Sequence, residues 1–137
     1  MKELKFYIVD DMNTIRKLVA YVLKNAGINN YNTFEDGSYA WKALLDVAGT
    51  PAQPDFIISD WNMPIMKGVE LLKNCRSHAA YKDIAFLMLT AEQEAHIVKE
   101  VILAGVDGYI VKPFVPNVFL QKIQQIYEKK FIAAAPS

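Results

Sequence analysis

Five short apolar runs, each followed by a segment with the apolar spacing of a helix, constrain the fold of this chain more than any other feature. The runs are Phe6–Val9, Tyr31–Phe34, Phe56–Ile58, Ile84–Leu89 and Tyr109–Val111. Most of them are apolar throughout, as expected of parallel strands that are covered on both faces. Strands and helices that alternate at these lengths predict one parallel sheet with right-handed connections and helices on both of its faces.

The intervening segments carry apolar residues three and four positions apart, and glycine or proline marks their ends. Gly27, Gly49 and Gly105 follow the first, second and fourth predicted helices, and Pro116 opens the fifth. The second helix is predicted over Tyr39–Val47. The residues predicted to face inward are Ile15, Leu18, Val19, Val22, Leu23 and Ala26 in the first helix, Val69, Leu72 and Cys75 in a third helix that starts around Gly68, Ile97, Val98, Val101 and Ile102 in the fourth, and some of Val118, Leu120, Ile123 and Tyr127 in the fifth.

Length and composition exclude several classes of protein. The 137 residues suffice for one domain, which we place at residues 1–130, with a C-terminal tail at 131–137. Fifteen basic residues balance fifteen acidic ones, which argues against a nucleic-acid-binding domain. The N-terminus has neither a signal peptide nor a membrane span, and the single cysteine, Cys75, cannot form an internal disulfide. We therefore expect a monomeric cytoplasmic protein.

Polar side chains follow the predicted strands where the apolar runs stop. The first strand ends at Asp10 and Asp11, the third at Asp60, the fourth at Thr90 and the fifth at Lys112. Because parallel strands end at one edge of their sheet, and sites in such folds lie at that edge, we expect these side chains to lie close together.

Each of these residues taken alone also has a structural interpretation. Asp11 or Asn13 could cap the first helix, and Thr90 could cap the fourth helix together with Gln93 three residues later. Lys112 could be one of many solvated lysines. A lone acidic pair would favour such roles, but the occurrence of all these side chains at one edge favours a functional site.

The combination of side chains indicates phosphoryl transfer. Three carboxylates at one place repel each other, and a divalent cation with oxygen ligands, such as Mg²⁺, would remove that cost. The strand ends carry no cysteine or histidine for zinc, and the chain has no glycine-rich nucleotide loop that ends in lysine. A carboxylate nucleophile beside a cation, a lysine and a hydroxyl fits phosphoryl transfer, which depends on positioning and charge stabilisation.

Four sequence blocks resemble the receiver domains of two-component response regulators in their order and spacing. They are Val9–Asp11, Ser59–Pro64, Leu89–Glu92 and Gly108–Phe114. The resemblance covers about residues 4–130 and implies a flavodoxin-like, doubly wound sheet of five parallel strands in the order 2-1-3-4-5 with five helices. The block that begins at Asp60 is similar to that of the stand-alone chemotaxis branch of the family, which has no separate output domain. We expect the same of this chain.

The resemblance implies a role for each strand-end residue. Asp60 would accept the phosphoryl group from a sensor histidine kinase. Asp10, Asp11 and Asp60 would bind Mg²⁺ together with the main-chain oxygen of Asn62, and Lys112 would contact a phosphoryl oxygen.

The family also implies how phosphorylation would change binding to a downstream protein. The Thr90 hydroxyl and the Ala91 amide would take up a phosphoryl oxygen, and Tyr109 would move inward as the switch residue. The partner, expected to be the flagellar motor switch, would bind a face made by the fourth helix, fifth strand and fifth helix. The residues expected on that face are Tyr109, Val111, Phe114 and Lys122.

Some positions depart from the family pattern or carry a further expectation. Lys67 occupies a position where the family usually has aspartate, and Ala95 and Gln125 replace lysines of the enteric chemotaxis pattern. The family also has a cis peptide bond at the position of Lys112-Pro113. Lys67 would lower the affinity for Mg²⁺ slightly.

Two other functions stay open on the sequence alone. The chain could be a relay intermediate that passes the phosphoryl group to a histidine phosphotransfer protein, although Asn62 and Glu92 match the fast self-hydrolysing chemotaxis pattern. It could also be a phosphatase with an aspartyl nucleophile, but that class places a second aspartate where this chain has Asn62. We expect no turnover of an external substrate.

Overall fold

The computed structural model describes residues 1–91 and 95–132, and strands alternate with helices along this part of the chain. The strands are β1 (Phe6–Val9), β2 (Tyr31–Phe34), β3 (Phe56–Asp60), β4 (Ala85–Thr90) and β5 (Gly108–Val111). The helices are α1 (Asn13–Asn25), α2 (Gly37–Val47), α3 (Gly68–Arg76), α4 (Ala95–Leu103) and α5 (Pro116–Tyr127), which continues into a π-helical turn at Glu128–Ile132.

The strands form one parallel sheet in the order β2-β1-β3-β4-β5, so the predicted order and fold class are confirmed. Two apolar clusters pack on its opposite faces. The first joins the sheet to α1 and α5 and includes Ile8, Ile58, Leu87, Val19, Leu23, Phe119 and Ile123. The second joins the sheet to α2, α3 and α4 and includes Tyr7, Ile57, Phe86, Leu44, Leu72 and Val101.

The strand β3 extends two residues beyond its predicted end. It continues through Ser59 to Asp60, and both residues are buried although they are polar. Pairing with β4 continues over this stretch, and the Ser59 hydroxyl donates a hydrogen bond of 2.9 Å to the main-chain oxygen of Asp60. The candidate nucleophile is therefore held by the sheet ladder itself.

The helix α2 begins two residues before the predicted start at Tyr39. The side chain of Asp36 accepts a hydrogen bond of 2.6 Å from the main-chain N–H of Ser38, so Asp36 caps the helix and Gly37 is its first residue. The capping aspartate was overlooked because it lies before the first apolar position of the stripe.

The helix α4 exposes an apolar residue that was expected to face inward. Ile97 and Val101, one turn apart in α4, are buried, whereas Ile102 is 55% exposed because it lies about 100° around the helix from Val101. The inward-facing stripe of α4 is thus narrower than predicted. In α5, Ile123 is fully buried and Val118 is 46% exposed, which agrees with the prediction that only some of the four candidate residues are buried.

A partly buried charged network ties together segments at the opposite edge of the sheet. Arg76, at the end of α3, donates to the main-chain oxygens of Ile84 (2.8 Å) and Gly105 (2.9 Å) and to the Asp107 carboxylate (3.1 Å). The other Asp107 oxygen lies 3.2 Å from the ammonium of Lys130 in the π-helical turn. The network therefore joins α3, the start of β4, the turn before β5 and the C-terminal turn.

The predicted tail is only partly within the described residues. Phe131 belongs to the π-helical turn, where its ring stacks on Tyr127 with the centroids 5.5 Å apart. Residues 133–137, and also Glu92 and Gln93 with the proposed capping box, lie outside the described residues. None of the described helices combines the length and apolar character needed to cross a bilayer.

Candidate functional site

Asp10, Asp60 and Lys112 are in contact at the carboxyl edge of the sheet. The ammonium nitrogen of Lys112 lies 2.8 Å from Oδ2 of Asp10 and 3.2 Å from Oδ1 of Asp60. Both aspartates are buried, and the Lys112-Pro113 peptide bond is cis, as the resemblance implied. Asp10 follows β1, Asp60 ends β3 and Lys112 follows β5, so the parallel topology brings together residues that are distant in sequence.

Asp11 lies beside Asp10 and Asp60, and its side chain is exposed. One carboxylate oxygen from each of the three aspartates lies within 4.8 Å of the others. The residue that caps α1 is Met12, without a side-chain hydrogen bond, so helix capping by Asp11 or Asn13 is wrong as an explanation for these residues. Asp10 instead accepts a hydrogen bond of 2.9 Å from the Met12 N–H, and Arg16 donates to the Asp10 main-chain oxygen.

The site carries an excess of negative charge. Burial and then the neighbouring charge of Asp10 raise the pKa of Asp60 to about 6, against the opposing effect of Lys112. Burial also raises the pKa of Asp10, although its hydrogen bond with Lys112 acts in the other direction. Burial alone would lower the pKa of Lys112, but the hydrogen bond and charge of Asp10, followed by those of Asp60, outweigh it and raise the value.

These properties meet the requirements of a hard divalent cation. The donor atoms are carboxylate oxygens only, and they are close enough together to share one ion. Lys112 supplies one positive charge against three carboxylates, and burial raises the pKa values of Asp10 and Asp60, which further disfavours their charged forms. A cation bound here would stabilise the charged forms of the aspartates.

Thr90 ends β4 with its side chain buried beside a small cavity. Its Oγ1 atom has no hydrogen-bond partner within the described part of the chain. The cavity has a volume of about 210 Å³ and is lined by Trp61, Asn62, Thr90, Ala91 and Ile97. The cavity is therefore lined by the two residues that directly follow Asp60 and by residues at the end of β4.

The loop between β3 and α3 folds back tightly on the site. The N–H of Gly68 donates a hydrogen bond of 3.0 Å to the main-chain oxygen of Trp61, and a Cβ atom added at Gly68 would lie 2.0 Å from the main-chain oxygen of Asp60. The ammonium of Lys67 lies over the Trp61 ring, 5.2 Å from its centroid. At the outer part of the loop, Ile65 is 80% exposed and has a φ of 68°.

The expected switch residue lies on the same face of the sheet as Thr90. In the parallel pairing of β4 and β5, Tyr109 stands opposite Met88 and Val111 opposite Thr90. Residues two positions apart on a strand share a face, so Tyr109 is the diagonal neighbour of Thr90. Tyr109 is partly buried against the second apolar cluster.

The remaining residues of the expected partner face are all partly buried. Phe114 packs against the first apolar cluster and stacks on the buried Phe119 at 5.0 Å, so it serves at least partly as a core residue. The aliphatic part of Lys122 covers Gly108 at the start of β5, where an added Cβ would lie 3.2 Å from its Cδ. Lys122 is thus next to the strand that carries Tyr109.

Two features of the site were missed at the level of sequence. Gly68 was identified only as the start of a helix, whereas its lack of a side chain lets α3 approach the Asp60 backbone. Lys67 was identified as a departure from the family pattern that would lower the affinity for Mg²⁺, but its contact with Trp61 was not foreseen. A separation of six residues between a tryptophan and a lysine matches no helix or strand period. The conformation of the loop determines whether the two side chains are in contact.

Comparison with known proteins agrees with this geometry. Residues 6–124 match the family model of the response regulator receiver domain. The chain is 40% identical over 128 residues to chemotaxis protein CheY-3 of Vibrio cholerae, covering 93% of this chain and 95% of that protein. It is 37% identical over 126 residues to chemotaxis protein CheY of Pseudomonas aeruginosa, covering 92% and 98%.

A solved structure extends the comparison to three dimensions. Chemotaxis response regulator CheY4 of Vibrio cholerae superposes with a TM-score of 0.80 at 36% identity, covering 90% of this chain and 98% of that one. Sequence and structure therefore agree over nearly the whole length of these relatives. The chain belongs to the response regulator receiver family.

Proposed function

We propose that the chain is a phosphorylation-dependent switch of a two-component system, which accepts a phosphoryl group from a histidine kinase on Asp60 and acts in chemotaxis. The observation that carries this proposal is the buried Asp60 carboxylate, 3.2 Å from the Lys112 ammonium at the end of β3. The similarity to chemotaxis proteins over most of the chain supports the pathway. The receiver domain would span residues 1–130 and act as a monomer in the cytoplasm.

Asp60 and Lys112 would perform the chemical step. A carboxylate oxygen of Asp60 forms a bond to phosphorus while the bond from phosphorus to the histidine nitrogen breaks, and that nitrogen keeps the electron pair. Lys112 donates a hydrogen bond to a phosphoryl oxygen and offsets part of the charge that gathers there. Both side chains are fixed at strand ends, which supplies the positioning that this reaction needs.

Asp10, Asp11, Asp60 and the main-chain oxygen of Asn62 would hold Mg²⁺. Support comes from the oxygen-only donor set and from the incomplete compensation of its negative charge. When bound, the ion would neutralise charge on the carboxylates and on the phosphoryl oxygens. Asp10 has a second task in this arrangement, because its hydrogen bond with Lys112 orients the lysine toward Asp60.

Thr90, Ala91 and Tyr109 would carry the signal from Asp60 to a partner surface. The buried Thr90 hydroxyl without a partner in the described residues is free to turn toward a phosphoryl oxygen, and the Ala91 N–H would serve the same group. Movement of Thr90 vacates space on the face of the sheet that it shares with Tyr109, and the Tyr109 ring would move inward to fill it. The partner would read this change on a face that includes Val111, Phe114 and Lys122, and we propose the flagellar motor switch as that partner.

Labelling with acetyl phosphate tests the acceptor. Wild-type protein should become phosphorylated in the presence of Mg²⁺, and Asp60→Asn should abolish the label. Asp83→Asn, which removes an exposed carboxylate elsewhere, is the matched control and should label normally. Labelling of Asp60→Asn at the wild-type rate would contradict the assignment. Release of phosphate from an added phosphomonoester over many turnovers would indicate a phosphatase instead.

Partner binding tests the output. Beryllofluoride, which imitates the phosphoryl group on aspartate, should raise the affinity for the motor-switch protein by roughly 5- to 150-fold, the usual range of allosteric coupling. Tyr109→Ala should reduce that gain and leave phosphorylation of Asp60 intact. Equal affinity with and without beryllofluoride would count against a switch, because only a difference in affinity between the two states shifts their populations.

A further inference from the structure

Lys67 combines closeness to the site with an exposed side chain that pairs with no carboxylate among the described residues. Gly68, the next residue, contacts the main-chain oxygen of Asp60, and Trp61, under the Lys67 ammonium, directly follows Asp60. Within the described residues, Lys67 forms no ion pair. The other cations of the site are occupied, since Lys112 contacts Asp10 and Asp60, and Arg16 donates to the Asp10 backbone.

The Trp61 ring is in contact with the ammonium of Lys67. The indole N–H is buried and has no hydrogen-bond partner in the described part of the chain, so no hydrogen bond from this group to a described residue fixes the ring. The ammonium lies 5.2 Å from the ring centroid, within the range of a cation–π interaction. Because Trp61 lines the cavity beside Asp60 together with Thr90, the position of the ring affects access to the site.

We propose that Lys67 is a specificity-determining cation of this receiver domain, which holds the Trp61 ring at the site and draws anionic phosphodonors toward Asp60. A solvent-exposed positive charge near a group of three carboxylates lowers the repulsion that an incoming phosphoryl group meets. The same charge opposes binding of a metal cation, so Lys67 favours anionic donors at the expense of cation affinity. This inference rests on the proposed phosphorylation of Asp60.

Fluorescence quenching tests whether the charge of Lys67 attracts anions to Trp61, without any phosphorylation reaction. In a Trp41→Phe background, Trp61 is the only tryptophan, and its quenching by iodide is compared with quenching by neutral acrylamide. Lys67→Met should lower the iodide quenching constant about twofold to fivefold at low salt while acrylamide changes little, since a nearby positive charge concentrates anions. Lys67→Arg should restore iodide quenching. Lys73→Met, which removes an exposed lysine from α3, the helix that follows Lys67, is the control for net charge.

The phosphorylation rate provides the second readout. With acetyl phosphate, a dianion near neutral pH, Lys67→Met should react about three to ten times more slowly than wild type at low ionic strength, and salt near about 0.5 M should remove the difference. With phosphoramidate, a monoanion, the loss should be smaller. Lys67→Arg should restore both rates, and Lys73→Met should match wild type.

The outcomes separate this inference from the proposed function. Failure of wild-type protein to label on Asp60 would overturn the proposed phosphorylation and this role of Lys67 with it. Normal labelling together with unchanged iodide quenching in Lys67→Met would overturn only the role of Lys67. A rate loss that persists undiminished at high salt would likewise overturn it, because it would reflect a structural effect of the substitution.

Discussion

Gly68 lies against the main chain of Asp60, so closely that a Cβ atom at position 68 would stand 2.0 Å from the Asp60 carbonyl oxygen. Side chains do not approach a main-chain oxygen to this distance, so the backbone would have to move. The contact involves the last residue of β3 and the first residue of α3. The β3–α3 loop therefore returns to the strand end from which it started.

The first prediction is that Gly68→Ala impairs both stability and phosphorylation. The methyl group can be accommodated only by shifting α3 or the end of β3, and overpacking of this kind costs about 1–3 kcal/mol of unfolding free energy. Urea denaturation and acetyl phosphate labelling would measure the two effects. Gly49→Ala is the comparison, because no atom lies within 4 Å of its added Cβ; its φ of +77° makes the change unfavourable without affecting labelling.

The contact at Gly68 marks the limit of what the sequence could predict about the site. Asp10, Asp60 and Lys112 could be placed together because each follows an apolar run, and a parallel sheet collects its strand ends at one edge. The approach of Gly68 to Asp60 depends instead on the path of an irregular loop. No periodic pattern encodes such a path, so the glycine could only be assigned to the beginning of a helix.

The burial of helix residues could likewise be predicted only in part from the sequence. Cys75 and Val101 lie on the predicted inward faces and are fully buried. Ile102 was predicted to face inward as well, because an apolar residue next to Val101 widens the apolar stripe in the sequence. How much of a wide stripe becomes buried depends on the packing of the helix against the sheet, which local spacing does not determine.

A second prediction concerns the effect of pH on stability through Asp60. Its pKa is raised from 3.8 to about 6, mainly by burial, so in the folded protein Asp60 holds its proton to higher pH than in the unfolded chain. The contribution of Asp60 to the unfolding free energy is therefore fully present below about pH 4 and is lost as pH rises through about 6. Without divalent cations, Asp60→Asn should raise the unfolding free energy at pH 7 by on the order of 2–3 kcal/mol.

Denaturant unfolding in a chelating buffer at several pH values would measure this gain. The gain should shrink toward zero as pH falls below the unfolded-state pKa of 3.8, where Asp60 is protonated in both folded and unfolded protein. Asp83→Asn, at an exposed carboxylate, should show no comparable gain at pH 7. A gain of the same size at pH 4 and pH 7 would mean that buried charge is not its cause.

The third prediction concerns the Arg76 network. Arg76→Lys keeps the charge but cannot reach the Ile84 oxygen, the Gly105 oxygen and Asp107 at once, since only the planar guanidinium presents donors in several directions. Leaving some of these exposed and partly buried acceptors without a donor should lower the unfolding free energy by about 1–2 kcal/mol. Lys130→Met removes only the more exposed ion pair with Asp107 and should cost less than about 1 kcal/mol. Equal losses in the two variants would contradict this ranking.

The reactivity of Cys75 is the subject of the fourth prediction. The thiol is fully buried, and burial raises its pKa to about 12, so very little reactive thiolate forms at pH 8. Alkylation by iodoacetamide should therefore occur only in molecules that open. The rate of modification should rise with urea in parallel with the unfolding transition, and fully unfolded protein should react like a free thiol. Rapid modification of the native protein would contradict the buried position.

The last prediction concerns backbone strain at Ile65, which has a φ of 68° although it is β-branched. A β-branched side chain in this left-handed region crowds its own backbone, at a cost of about 1–2 kcal/mol. Because the side chain is 80% exposed, its replacement forfeits little apolar burial. Ile65→Asn should raise the unfolding free energy by about 1 kcal/mol, since asparagine adopts this conformation readily without the extra chain flexibility that glycine adds to the unfolded state. Ile65→Val, which keeps the branched Cβ, should leave stability nearly unchanged. A gain in stability for Ile65→Val equal to that for Ile65→Asn would show that removal of exposed apolar surface, and not relief of backbone strain, is responsible.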